Sequence, residues 1–263
     1  MAEQGANAVA TGGDDSMTIL DWFLDPEHWV GTSGVPQQVL IHLAYSGAAL
    51  AAALVIAVPL GAYIGYTGKG EALIVGLSNA LRALPTLGLL ILMVMLISPL
   101  IRSQLQFVLP SLFVLVLLAV PPILIGTYTG IQNTDEHAVG AARGMGYTNM
   151  QILWKVQLPC SLPLLLSGVR NSVLQVVSTA TVAAYVSLEG LGRYILDGRA
   201  SGNYNEMAAG AILLALLALA LELIFIGLGR LVISPGLLRK HPIRLRKSGA
   251  TLTSRALPVP VQH

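Results

Sequence analysis

Two ionisable residues, Arg170 and Glu222, stand inside long apolar stretches of the sequence. A charge at the centre of a membrane costs a few kcal/mol unless it is paired or hydrated, so each residue is a functional hypothesis. Both are predicted to lie about 15 Å from the same membrane surface, given the rise of a helix. We expect either an ion pair that fixes the rotation of two helices or a charged lining of a solute path.

Polar side chains follow Arg170 at helical spacing. Asn171, Gln175 and Ser178 recur after four and three residues, which places them on one face of a helix. This polar face continues an otherwise apolar segment, as expected where a helix borders an aqueous path. Together with Arg170 and Glu222, these residues are the candidates for a translocation path.

The residue pattern gives no support to enzymatic chemistry. Gly68 and Lys69 are followed by Gly70, and Tyr63 stands where a phosphate-binding loop needs its first glycine. The single cysteine, Cys160, excludes an internal disulfide framework and a multi-cysteine zinc site. The five histidines are scattered: His28, His42, His137, His241 and His263. We therefore expect no catalytic residue, no metal site and no cofactor on this chain.

The elements that must position the polar residues are membrane helices. Of the 263 residues, 54% are apolar and 11% are charged, whereas a soluble domain carries about 25% charged residues. Mean hydropathy is +0.72. A span needs about 20 mainly apolar residues, and five segments qualify: 39–65, 78–101, 105–131, 161–187 and 207–233. The sequence predicts an all-α polytopic membrane protein.

The basic residues predict the orientation. Loops on the cytoplasmic side of a membrane carry an excess of Lys and Arg. With the N-terminus outside, eleven of the fifteen basic residues face the cytoplasm: Lys69, Arg82, Arg143, Lys155, Arg230, Arg239, Lys240, Arg244, Arg246, Lys247 and Arg255. We predict an inner-membrane protein with a cytoplasmic C-terminus, whose basic tail at 236–263 meets the anionic leaflet and not nucleic acid.

The N-terminal region differs from the rest of the chain. It carries no Lys or Arg through residue 35 and has no apolar core of a signal peptide. Residues 1–16 are expected to be disordered. Met17–Trp29 sets three aromatic residues beside acidic ones, which predicts an interfacial helix and its lead-in at 17–38. The transmembrane domain is predicted at 39–235.

The connector Thr134–Pro163 is too polar to span a membrane, yet it is patterned. Asp135 and Glu136 favour a helix N-terminus, and alanines follow at helical spacing. Gly144 and Gly146 are predicted to end this helix, and a second short helix at 148–157 is predicted to end before Pro159. An ordinary interfacial loop is the alternative interpretation from the residues alone.

This connector resembles the signature loop of importer-type ABC permeases: E-A-A, three residues, G, nine residues, I-x-L-P. Ala141 and Ala142 are followed by three residues and Gly146, and nine more lead to Val156, Gln157, Leu158 and Pro159. Downstream, Glu189–Arg193 and Asp197-Gly198 resemble the external loop of the glycine betaine/choline/carnitine permeases. Upstream, Leu84–Leu87 resembles the break in their second core span. The resemblance covers most of residues 17–235.

The resemblance implies an importer-type ABC permease fold with five core transmembrane helices and an N-terminal interfacial helix. The loop at 134–160 would then be the segment that couples the permease to an ATPase subunit. Its candidate residues are Gly140, Ala141, Ala142, Gly144, Gly146, Val156, Leu158 and Pro159. Gly140 occupies the position of the family's acidic residue, so one polar docking contact is missing. A second, different permease chain could supply it, which favours a heterodimer over a homodimer.

The resemblance also implies a function and partners. The solute would be a quaternary ammonium osmoprotectant such as glycine betaine, choline or carnitine. ATP and magnesium would bind to partner ATPase subunits, a second permease subunit would complete the pore, and an extracytoplasmic solute-binding protein would deliver the solute. A self-contained secondary transporter is the alternative, but it needs coupling-ion sites and usually an inverted repeat, which the sequence does not display. A non-transporting scaffold would leave the signature loop without a purpose.

Overall fold

The computed structural model describes residues 18–103 and 105–232, without the side chain of Arg82. The predicted disordered segment 1–16 and the basic tail 236–263 lie outside these residues. Helices are the only regular elements of the described part of the chain. They are α1 Ile19–Leu24, α2 Val35–Thr67, α3 Glu71–Ala83, α4 Thr86–Ile97, α5 Leu105–Gln132, α6 Glu136–Gly144, α7 Asn149–Ile152, α8 Leu158–Ala183, α9 Gly192–Ser201 and α10 Tyr204–Val232.

Helices α2, α5 and α8 form the core of the bundle, with α5 packed against both others. Small residues allow this close approach, as is usual between membrane helices. A Cβ atom added to Gly168 would lie 2.5 Å from the carbonyl oxygen of Pro122. The hydroxyl of Ser172 also donates a hydrogen bond to the carbonyl of Ala119, at 2.9 Å. The central helices are therefore held at backbone-to-backbone distance.

Four helical stretches are long and apolar enough to cross a membrane: Val35–Thr67, Leu105–Gln132, Asn149–Val186 and Tyr204–Val232. They confirm the type and order of the spans predicted at 39–65, 105–131, 161–187 and 207–233. The bounds differ most at the fourth span, which begins well before residue 161. With 33 residues, α2 is about 50 Å long and exceeds the hydrocarbon thickness of about 30 Å.

The span predicted at 78–101, with an interruption near its start at Arg82 and Pro85, is sharply bent at that place. Helices α3 and α4 meet at an angle of 95°, and Leu84 between them is extended, with ψ 133°. Pro85 explains the bend, because a proline disfavours the helical conformation of the residue before it. The 12 residues of α4 measure about 18 Å, too short to cross alone. By length and composition the bent pair qualifies as a broken fifth span, and its bend lies where the resemblance indicates a break.

The predicted N-terminal helix is shorter than 17–29 and is held against protein. Helix α1 has six residues and ends at Leu24, and a single 3₁₀ turn, Pro26–Trp29, follows. The side chain of Trp22 is only 2% exposed, with its ring edge-on to Tyr194 and stacked on His28. A location at the membrane interface stays a prediction, but Trp22 is buried in protein and is not presented to lipid head groups.

Candidate functional site

The predicted first helix of the connector is α6. Asp135 caps it, since its carboxylate oxygen Oδ1 accepts a hydrogen bond from the backbone N–H of His137 at 2.8 Å. Glu136 stands in the first turn, where a negative charge stabilises the helix dipole. Ala142 is buried, whereas Gly140 and Ala141 are exposed. Of the alanine pair, Ala142 therefore faces the protein interior and Ala141 faces outward.

A glycine turn ends α6. Gly146 adopts φ +83°, a conformation that only glycine accepts without cost. Its N–H donates to the carbonyl of Arg143 at 2.9 Å, and the next N–H, of Tyr147, donates to the carbonyl of Ala142 at 3.1 Å. This pair of bonds is the Schellman motif, which closes the C-terminus of a helix. Gly144 lies in the last helical turn instead, so Gly146 alone makes the reversal.

The second helix of the connector begins with a capping box. The Thr148 N–H donates to Gln151 Oε1 at 2.9 Å, and the Gln151 N–H donates to Thr148 Oγ1 at 3.4 Å. The predicted end before Pro159 is wrong, because the helix continues through a π-helical segment, Leu153–Gln157, into α8. The Leu158 N–H donates to the carbonyl of Leu153, five residues back. Pro159 follows inside this continuous helix, and because proline has no N–H it donates no hydrogen bond to the preceding turn.

The connector is anchored to the end of the bundle and leaves an apolar surface free. Ile152 and Leu153 are buried, and Leu153 packs with Ala62 of α2 and Ile131 of α5. On the outer side, Met145 and Met150 are 69% and 66% exposed. We call the exposed side chains of Met145, Tyr147, Met150 and Trp154 the docking face.

Of the other predicted coupling residues, Val156 and Leu158 are half-buried at the root of this connector and Pro159 is exposed. Helix α6 packs on α7 and on the π-helical segment Leu153–Gln157, so the first half of the signature lies against the segment that contains Val156. The docking face was missed from the sequence. Methionines and aromatic residues within a polar connector were the signal that could have found it.

Arg170 and Glu222 meet between α8 and α10. The Arg170 Nε–H donates to Glu222 Oε2 at 2.7 Å, and Arg170 Nη2 pairs with Glu222 Oε1. The two side chains are 40% and 23% exposed, so the pair lies at the margin of the bundle. This contact is the geometry expected of an interhelical pair, and it lies well away from the connector along α8.

The polar residues after Arg170 lie on an open face of α8. Between Ser167 and Ala183 the exposed residues of this helix are Ser167, Asn171 and Ser178, all polar, with Gln175 half-buried among them. Helix α10 differs: from Ala211 to Leu228 its exposed residues are only Ala, Gly, Ile and Leu. Lipid can cover the free face of α10, but a polar stripe needs water or protein against it.

At the opposite end of the molecule, the loop Glu189–Arg193 is tied to α2. Gly190 has φ +123°, and its N–H donates to Gln38 Oε1 at 2.8 Å. A Cβ atom on Gly190 would lie 2.9 Å from Nδ1 of the buried His42, whose Nε2 lies 3.1 Å from the Val177 carbonyl oxygen. Gln38 and His42 were missed, because their partners are more than 130 positions away in sequence.

Helix α9 follows this loop and fixes the N-terminal segment. The Tyr194 hydroxyl donates a hydrogen bond to the Ser33 carbonyl. Burial and the nearby Glu206 carboxylate raise the pKa of Tyr194 to about 12, so the hydroxyl keeps its proton at physiological pH. The Gly198 position is equally close-packed, since an added Cβ would lie 2.7 Å from the Met207 nitrogen.

The curated relatives of this chain are transport permeases. The carnitine transport permease OpuCB of Listeria monocytogenes is 30% identical over 181 residues, 69% of this chain and 80% of that protein. The osmoprotectant import permease OsmW of Salmonella typhimurium is 31% identical over 181 residues, 69% of this chain and 83% of that protein. The glycine betaine/proline betaine permease ProW of Escherichia coli is 28% identical over 201 residues, with 55% of ProW covered.

The fold has solved counterparts. A chain of the inward-facing MetNI methionine ABC transporter superimposes with a TM-score of 0.66 at 23% identity, covering 80% of this chain and 99% of that one. The arrangement of helices is therefore the importer-type ABC permease fold that the signature loop had implied. The family model for binding-protein-dependent transport system inner membrane components matches residues 57–234. The chain belongs to this family of membrane-embedded permease components.

Proposed function

We propose that this chain forms one half of the membrane pore of an ATP-driven importer for quaternary ammonium osmoprotectants, with glycine betaine, choline and carnitine as the solute class. A separate ATPase subunit binds ATP and magnesium and docks on the connector Thr134–Pro163. An extracytoplasmic solute-binding protein delivers the solute. The N-terminus lies outside and the C-terminus lies in the cytoplasm, in accord with the distribution of Lys and Arg.

The single observation that carries this proposal is the docking face. The connector folds into two short helices, α6 and α7, each capped at its start and joined by the Gly146 turn. It exposes the side chains of Met145, Met150 and Trp154 to solvent. Exposed apolar groups on a fixed scaffold are the usual mark of a protein interface. Because the second helix of the connector continues into α8 as one helical stretch, a displacement of the connector by the ATPase subunit is transmitted directly to the membrane domain.

The polar stripe of α8 supports the presence of a second permease subunit and indicates where the solute path runs. Asn171 and Ser178 are exposed on a helix of membrane depth, where contact with lipid is unfavourable. We place this stripe along the solute path, between this chain and a second permease. The Arg170–Glu222 pair has the role of an interhelical clamp, since its charges satisfy each other.

The solute class rests on the relatives, whose names specify carnitine, glycine betaine, proline betaine and other osmoprotectants. A quaternary ammonium group cannot donate hydrogen bonds, so polar uncharged residues such as Asn171 and Ser178 suit its passage better than a fixed carboxylate. Tight binding of such a cation needs aromatic faces, which we expect on the solute-binding protein.

The test is uptake by a reconstituted system. The chain is co-expressed with the ATPase, the binding protein and the second permease of its transport system, in a strain that lacks osmoprotectant uptake. We expect accumulation of radiolabelled glycine betaine, choline or carnitine that requires all components. Replacement of Met145 and Met150 by Glu is expected to abolish uptake and the binding of the ATPase subunit, because it charges the docking face.

The control is Leu73→Glu, which charges an exposed apolar residue of α3 instead. Loss of ATPase binding in the Leu73→Glu variant as well would show that the docking face is not the specific binding surface for the ATPase subunit. Uptake that persists without the ATPase gene and collapses with an ionophore would identify a secondary transporter and overturn the proposal.

A further inference from the structure

A groove of about 270 Å³ lies between α8 and α10, at the end of the bundle that carries the connector. Its walls are largely apolar, and its two charged members are arginines. Six of the lining residues are Pro163, Leu166, Phe225, Ile226, Arg170 and Arg230. From Arg230 near the end of α10 to Glu222 is eight residues, about 12 Å, so the groove extends about one leaflet's depth into the membrane.

The two arginines differ in their state. Arg170 forms the inner end of the groove and is paired with Glu222. Arg230 is at the outer end, is exposed, and pairs with no carboxylate in the ranges 18–103 and 105–232. The groove therefore carries an uncompensated positive charge at its mouth, with apolar walls behind it. A ligand that fits has an anionic head and a hydrocarbon body.

The apolar surroundings of the groove indicate that its anionic ligand is a lipid and not a soluble anion. The free face of α10 is apolar from Ala211 to Leu228, as expected of a face covered by lipid. Phe225 also borders a second, apolar cavity of about 130 Å³ among α2, α8 and α10. A lipid tail covers apolar walls of this kind, whereas a soluble anion would leave them unpartnered.

We propose that this groove is a binding site for an anionic phospholipid. The phosphate group contacts the Arg230 guanidinium, and one acyl chain lies along Leu166, Phe225 and Ile226. The bound lipid covers the α8–α10 seam beside the Arg170–Glu222 pair and keeps water from the exposed part of that pair. A zwitterionic phospholipid binds less tightly, because its choline group offsets the phosphate charge.

Native mass spectrometry of the delipidated full chain in detergent tests this site, with palmitoyl-oleoyl phosphatidylglycerol and the matching phosphatidylcholine titrated in. We expect the first phosphatidylglycerol to bind more tightly than phosphatidylcholine. Arg230→Gln is expected to weaken it about fivefold, the equivalent of about 1 kcal/mol for one basic residue at a membrane surface. Ser167 also lines the groove, so Ser167→Phe, which narrows the groove without a change of charge, is expected to weaken phosphatidylglycerol binding as well.

Lys69→Gln is the matched control, because Lys69 is an exposed basic residue that follows α2 at the same end of the bundle. Equal loss of phosphatidylglycerol in Arg230→Gln and Lys69→Gln would mean unspecific surface attraction and would overturn the site. Displacement of the lipid by millimolar inorganic phosphate would assign the groove to a soluble anion instead. Retention in Ser167→Phe would exclude the groove itself. Circular dichroism establishes that each variant is folded.

Discussion

The Arg170–Glu222 pair combines a short hydrogen bond with partial exposure. Removing one partner of a fully buried pair leaves an uncompensated charge and costs about 3–5 kcal/mol. The exposed fractions of 40% and 23% lower this figure, because water or lipid head groups can reach the remaining charge. The pair therefore acts mainly as a link between α8 and α10, two helices that otherwise share few close contacts.

The first prediction concerns this link. Arg170→Met and Glu222→Gln are each expected to lower the melting temperature in detergent and the yield of folded protein. The double variant is expected to recover much of the loss, because no unpaired charge remains. Thermal unfolding and uptake of labelled solute, measured on all three, separate this role from pore lining. Normal stability with impaired uptake in both single variants would place the charges in the path.

A second prediction concerns Gly140, which stands at the position of the acidic residue in the signature pattern E-A-A. A Cβ atom added at Gly140 meets nothing within 4 Å, so a longer side chain fits without rearrangement. We expect Gly140→Glu to insert normally and to strengthen ATPase binding, since it adds a carboxylate beside the docking face. It also replaces a helix-weakening glycine, at a gain of up to about 1 kcal/mol.

The measurement is co-purification of the ATPase subunit at increasing salt. Gly140→Gln, which has the same size without the charge, is the control and is expected to show the helix gain alone. Weaker binding of Gly140→Glu than of Gly140→Gln would show that the partner groove at this position does not accept a negative charge.

Among the elements, the Gly146 turn sets the angle between the two halves of the connector. Gly146→Val forces a β-branched residue into a left-handed conformation at a cost of about 1–2 kcal/mol. No side chain is in the way, because a Cβ atom at this position meets nothing within 4 Å. We expect the variant to insert in the membrane but to lose coupling, so that ATP hydrolysis no longer drives uptake.

The control is Gly202→Val, at the end of α9. Gly202 has φ +75° and equally open surroundings, so this variant carries the same backbone strain away from the connector. Uptake and ATPase activity are compared in proteoliposomes. Normal uptake by Gly146→Val, or equal loss in both variants, would separate the turn from coupling.

Periodicity and hydropathy were enough to predict the helices that cross the membrane as continuous segments. The interruption between α3 and α4 was indicated by Pro85, but the angle of the bend was not, because hydropathy does not register the restriction that Pro85 places on Leu84. The connector was predicted down to its glycine turn by Asp135, Gly146 and the signature spacing. The continuation of its second helix past Pro159 was not predicted, since a proline inside a helix normally breaks it and the local sequence does not reveal the π-helical segment before it.

Contacts between distant positions were beyond the sequence pattern. The Gly190 N–H and Gln38 share a hydrogen bond across 152 positions, and nothing in either local stretch indicates it. The Arg170–Glu222 contact could be predicted from the sequence, because two opposite charges at equal depth in apolar helices have few other partners. Burial of Trp22 was not, because a tryptophan beside acidic residues is equally typical of the membrane interface.

For the whole molecule, the free faces of the helices differ in their polarity. Between Ala211 and Leu228, helix α10 presents only small and aliphatic residues, while α8 presents Asn171 and Ser178. One side of the chain is therefore suited to lipid and another to water or a second subunit. This asymmetry is expected of a subunit that completes a path only when paired.

A topology prediction belongs to this scale. In a Cys160→Ser background, a cysteine at Asn203 is expected to react with an impermeant maleimide added to intact cells. A cysteine at Lys69 is expected to react only after the cells are opened. Both positions are exposed and lie at opposite ends of the bundle. Labelling of Lys69→Cys in intact cells would reverse the orientation, and labelling of both would indicate leaky cells.

The π-helical segment Leu153–Gln157 determines the rotation angle about the helix axis between the docking face and the polar stripe of α8. A π turn inserts one residue, which is about 100° of rotation in a regular helix. Deleting one residue within this segment would restore α-helical bonding and turn everything beyond it by that angle relative to the docking face. Because the core holds α8 in place, the docking face would turn away from its partner, so a deletion that strengthens the helix is expected to abolish ATP-driven uptake.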